Sequence, residues 1–174
     1  MRISNPSNYF RACLVFVASA ALGFASFGAS AAGAEGDTAV ETYDWSAALV
    51  AFDEASSTMT VKARIEAHAN IDGLADFSAG DRLTLVWTGR QWAAGVRDIG
   101  RDLEYAEGTL TLPIEFVATD DENRYVTFRV PVPSDSFDKI AALEPGDRVT
   151  GISPKMAKSW DSAVLSARHY NDIS

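Results

Sequence analysis

The chain has 174 residues, with 24 acidic against 15 basic side chains and a formal net charge of −9. That acidity excludes nucleic acid and anionic membrane surfaces as partners, since both need clustered positive charge. A hydrophobic content of 47%, including four Trp, nine Phe and five Tyr, excludes wholesale disorder, and the length suits one ordinary domain or two very small ones.

The N-terminus predicts a secretory signal peptide over residues 1–31. Arg2 and Arg11 supply a positive start, Ala12–Leu22 is apolar, and Ala29–Ala31 and Ala32–Ala34 both fit the small-x-small cleavage pattern. Cleavage near Ala31 or Ala34 predicts an exported chain, periplasmic or secreted. A membrane anchor over Ala12–Ala34 is the competing reading. Gly23, Gly28 and three serines dilute that stretch and no basic flank follows it, so no membrane insertion of the mature chain is expected. Cys13 is the single cysteine and lies in the leader, which removes disulfides, thiolate metal sites and cysteine nucleophiles from the mature protein.

Residues 32–42 read as an acidic linker, and beyond it the chain repeats itself. Ile71–Thr84 aligns with Phe137–Thr150 at six identities in fourteen positions, where composition alone supplies about one. Upstream, Thr60–Ile65 parallels Thr127–Val132 and Val50–Glu54 parallels Val117–Asp121. Two copies are expected, 43–108 and 109–174.

Each copy opens on a strand, Ala47–Phe52 or Leu112–Ala118, followed by a polar turn, Asp53–Ser57 or Asp120–Asn123. The second strand alternates. Met59, Val61, Ala63 and Ile65 form one row, and Val126, Phe128, Val130 and Val132 form its counterpart, as half-buried antiparallel strands do. Pro131 and Pro133 predict that the second of these strands ends there or runs along an edge. A short helix over Asp135–Leu143, capped by Ser134, comes next, with a weaker one around Gly73 in the first copy. Turns at Ser78–Asp81 and Glu144–Asp147 launch third strands, Arg82–Trp87 and Arg148–Ile152. Fourth elements are expected over Trp92–Ile99 and Ala163–Tyr170.

This rhythm, with its Thr-apolar-basic strand and Gly80-Asp81-Arg82 or Gly146-Asp147-Arg148 turn, resembles small OB-like barrels. Periplasmic copper-efflux chaperones are built that way, and the Gly-Asp turn is similar to that of cradle-loop barrels. The resemblance implies an all-β fold with one short helix per repeat: two pseudo-symmetric OB/SH3-like barrel repeats or one fused barrel. A β-sandwich is the alternative closure.

Candidate chemistry follows from residue types. Asp81 and Asp147 offer a carboxylate pair, weighed against a scaffolding role in their own turns. The run Asp120–Asn123 lacks the ligand spacing of a calcium loop and reads as a solvated turn. The copper-chaperone resemblance points to His68, Met156 and His169 as soft-metal ligands, without the Met-x-Met pattern of that family. No nucleophile elbow, zinc-protease motif or phosphate loop is present, so no enzyme activity and no cofactor are expected. The segment 87–101 concentrates Trp87, Arg90, Trp92 and Arg97 in an acidic chain, and Trp and Arg are enriched where proteins grip ligands. Those four residues are the predicted binding surface. The expected function is a non-enzymatic exported module binding a protein, glycan or small ligand; the alternatives are a periplasmic copper carrier and a carboxylate-dependent hydrolase.

Overall fold

The computed structural model describes residues 40–70, 73–89 and 95–172, so the predicted leader and most of the linker lie outside it. The described chain is mostly antiparallel β-sheet, with eight strands: β1 (Thr42–Asp53), β2 (Thr58–Asn70), β3 (Arg82–Thr88), β4 (Gly95–Gly100), β5 (Thr109–Asp120), β6 (Tyr125–Pro131), β7 (Arg148–Pro154) and β8 (Ser166–His169). One helix, α1 (Phe137–Ala141), interrupts them. No helix among the described residues is long and apolar enough to cross a membrane.

The strands pair in the order β4-β3-β5-β6-β2-β1-β7-β8, and β4 also pairs in parallel with β2, so the path returns on itself. The alternating row of β2 (Met59, Val61, Ala63, Ile65) is buried, and so is that of β6 (Val126, Phe128, Val130). Trp45 and Trp87 meet in the middle with ring centroids 6.0 Å apart, and Phe128 lies 6.4 Å from Trp45.

Pairings recur along the chain. On the β1–β2 hairpin Asp53 faces Thr58 and a bulge falls between Leu49 and Ala51; on β5–β6 Asp120 faces Tyr125 and the bulge falls between Phe116 and Ala118. Each bulge holds a valine, Val50 or Val117. Ser57 and Arg124, which close the two hairpin turns, both have left-handed backbones, φ 53 and 55°. Gly80 N–H donates to the Phe116 carbonyl and Gly146 N–H to the Leu49 carbonyl, each at 2.8 Å. Between the hairpins Val61 stands directly opposite Phe128.

Several local expectations are corrected. The first copy has no α-helix among its described residues. Gly73 holds φ 91°, outside helical range, and only a 3-10 turn, Leu74–Asp76, follows it. The second copy's helix is shorter than expected, preceded by a 3-10 turn at Ser134–Ser136. Ser134 is not its cap: the residue before the helix is Ser136, whose hydroxyl accepts the Ala167 N–H at 3.0 Å instead. β6 ends at Pro131 as the prolines dictate, yet it lies between β5 and β2 rather than at an edge. β4 is described from Gly95, where a Cβ would come within 2.9 Å of Glu66 and 3.1 Å of the Arg64 carbonyl, a close approach that favours glycine; residues 92–94 of the expected fourth element lie outside the described residues.

Candidate functional site

The predicted binding surface is not assembled as the sequence suggested. Trp87 is 1% exposed and sits in the core beside Trp45, because β3 turns that side chain inward with Leu83 and Leu85. Arg97 is exposed on β4, between buried Val96 and Ile99, and makes no ion pair among the described residues. Arg90 and Trp92 lie outside the described residues.

The proposed soft-metal ligands sit on separate elements: exposed His68 on β2, His169 on β8, and Met156 just beyond β7 with 48% exposure. His169 Nδ1 accepts the Asn171 N–H. No group of three metal-binding side chains of the His, Cys, Asp or Glu kind occurs among the described residues.

The carboxylates singled out by motif are spent on turns. Asp81 Oδ2 accepts the Ser78 N–H at 3.2 Å and pairs with Arg101, and Asp147 Oδ2 accepts the Glu144 N–H at 2.9 Å. Asp120 accepts the backbone and side-chain N–H groups of Asn123, and Asp53 does the same service for Ser56 and Ala55. Those hydrogen bonds hold both carboxyls below their ordinary value near 3.8, the Ser56 hydroxyl being the main cause for Asp53 and the Asn123 amide for Asp120.

A different surface gathers aromatic and cationic groups. Arg82, first residue of β3, points outward and faces Glu115 of β5, which in turn faces Arg129 of β6. Both guanidiniums pair with the one carboxylate, Arg82 at 3.3 Å, and the Glu115 side chain is only 17% exposed between them. The segment after β7 is fastened to β5: the Thr111 N–H donates to the Lys155 carbonyl at 2.9 Å, and the Thr111 carbonyl accepts the Ala157 N–H at 3.1 Å. That anchoring carries Trp160 over the Arg82 guanidinium, 3.6 Å from ring centroid to Cζ. Stacking of this kind orients a guanidinium while leaving its edge free to donate.

Beside the stack lies an open cleft of ≈ 380 Å³, lined by Arg82, Leu83, Pro113, Ile114, Lys158, Ser159 and Trp160. Half-buried Pro113 and Trp160 give it its apolar surface, Leu83 and Ile114 being turned into the core, while Lys158 is exposed and without an ion-pair partner among the described residues. No family model, curated protein or solved structure matches this chain. Its chemistry must therefore be argued from these side chains alone.

Trp160, not among the predicted site residues, is half-buried at the surface. The available signal was its setting in Lys158-Ser159-Trp160-Asp161, a polar run unsuited to a core position. The Glu115 contribution had no signal, because it depends on the register between β3, β5 and β6.

Proposed function

We propose that this protein is an exported, non-enzymatic binding module whose ligand is held in the cleft beside Trp160, Arg82 and Lys158. The observation that carries the reading is the Arg82–Trp160 contact at the rim of the cleft. A flat ring, a pre-oriented guanidinium and an exposed ammonium form a recognition surface. They offer no paired acid and base to drive a reaction.

The scaffold is read as two copies of one unit, 43–108 and 109–174, fused into a single closed barrel. Support comes from the matched hairpin registers, the matched bulges and the reciprocal Gly80 and Gly146 hydrogen bonds. The parallel return of β4 to β2 supports closure over a sandwich. Export rests on the leader pattern of residues 1–31. Envelope or medium fractions should yield a mature chain starting at Ala32 or Glu35, as read by N-terminal mass analysis; a full-length chain retained in the cytoplasm would contradict it.

The binding reading is tested on an immobilised panel of glycans and peptides. Wild-type protein should be retained by at least one class, and Trp160→Ala should lose that retention while its melting temperature stays within about 2 °C, the behaviour of a surface substitution. Undiminished retention of Trp160→Ala would sink the proposal.

A further inference from the structure

We infer that the cleft takes an acidic sugar: a ring whose C–H face stacks on Trp160 while its carboxylate meets Arg82 and Lys158. The inference rests on reading the cleft as the binding site and adds the chemical class of the ligand.

Charge supplies the first argument. Two arginines converge on Glu115, so Arg82, Glu115 and Arg129 together carry a surplus positive charge, and unpaired Lys158 adds another at the cleft. The chain as a whole carries −9, so this local sign favours an anion at one place and opposes it elsewhere. The Arg82 guanidinium is held flat by Trp160 and pinned along one side by Glu115. Its remaining donors are thus oriented before a ligand arrives, which suits a planar carboxylate.

Shape supplies the second. The cleft is open rather than enclosed, and its apolar surface comes from Pro113 and the Trp160 ring. A chain of rings can cross such an opening without burying its ends, and sugar C–H faces match apolar floors and indole rings.

Departure from symmetry supplies the third. The counterpart of the Arg82–Glu115 pair is Arg148 facing Ala48, so the second copy's arginine has no carboxylate across the strands and stacks more loosely on Tyr170, at 5.0 Å. A scaffold device would be expected in both places, whereas a binding device need be built only once.

Isothermal calorimetry on the full mature chain tests this with four probes: trigalacturonate, a neutral galactose trisaccharide, sodium sulfate and adenosine monophosphate. Trigalacturonate should bind saturably and at least about tenfold more tightly than the neutral trisaccharide, with no saturable sulfate binding. Arg82→Lys, which keeps the charge but loses the flat stack, should weaken it several-fold. Trp160→Ala and the Arg82→Ala/Lys158→Ala double variant should weaken it about tenfold or more. Equal affinity for the neutral sugar, lost in Trp160→Ala, would overturn the acidic-sugar inference and leave the cleft standing as the site. Tighter adenosine monophosphate binding, saturable sulfate binding or no binding of trigalacturonate would also overturn the inference. Trigalacturonate binding unaffected by Trp160→Ala would instead remove the cleft itself.

Discussion

The seams β3–β5 and β1–β7, both antiparallel, are filled in opposite ways. In the first, Leu85 faces Leu112 and Trp87 faces Leu110. In the second, Trp45 faces Gly151 and Tyr43 faces Ser153. Where one seam matches medium side chains and puts its tryptophan on the third strand, the other puts its bulk on the first strand and thins the third. A Cβ at Gly151 would fall 2.4 Å from Trp45 Cζ2, so the indole occupies the space that glycine vacates. The two seams thus place their bulk on different strands.

The largest expected effect comes from undoing that exchange. Trp45→Ala removes a fully buried indole and should cost about 3–5 kcal/mol in denaturant unfolding. Gly151→Leu should be similarly damaging by overpacking, commonly about 1–3 kcal/mol and more against an indole. The double variant Trp45→Leu/Gly151→Leu copies the Leu85–Leu112 solution and should be more stable than either single change combined additively predicts, by about 1–3 kcal/mol of coupling. Strict additivity would mean that the seams are not interchangeable.

A smaller effect separates the two tryptophans. Trp45 Nε1 donates to Ser153 Oγ at 2.8 Å inside the core, whereas Trp87 Nε1 is buried without a partner among the described residues. Trp45→Phe strands the serine hydroxyl and should cost about 1–3 kcal/mol beyond the change in volume; Trp87→Phe removes an unsatisfied donor and should cost less. Equal losses in thermal melts would refute the distinction.

The smallest effect concerns the matched turns, and it has a sign in pH. Asp53 and Asp120 have carboxyls held low by Ser56 and Asn123 respectively. Each lowered group stabilises the fold above its unfolded value near 3.8 and ceases to do so as pH falls through the lower folded value. Asp53→Asn and Asp120→Asn should therefore lower the melting temperature by similar small amounts near neutral pH, and the loss should shrink as the medium is made strongly acid. A loss that persists at acid pH would assign the carboxylates a different role.

How much of this was legible in the sequence depends on distance along the chain. The alternating rows of β2 and β6, their turns and the Gly-Asp launches of β3 and β7 are local patterns, and they were read correctly because period-two alternation and turn chemistry need only neighbours. Tertiary contact is less legible, as at Gly95, whose approach to Glu66 no local rule foresees. Trp87, one residue of the predicted surface, is in the core for a related reason. Trp87 and Trp160 look alike by composition, and only pairing register sends one indole inward and leaves the other over Arg82. The Arg82–Glu115–Arg129 row joins three strands far apart in sequence, so no local window contains it.

The exchange between seams also has a consequence in time. Trp45 closes its hydrogen bond with a serine 108 positions later, and β1 pairs along half its length with a strand from the far end of the chain. Contacts of such separation form late, because loop closure must precede them, and they place this topology among slow, millisecond-to-second folders. Until β7 arrives, Tyr43 and Trp45 have no cover on that side. The N-terminal half therefore waits for the whole chain, and the protein folds as one event after synthesis rather than half by half.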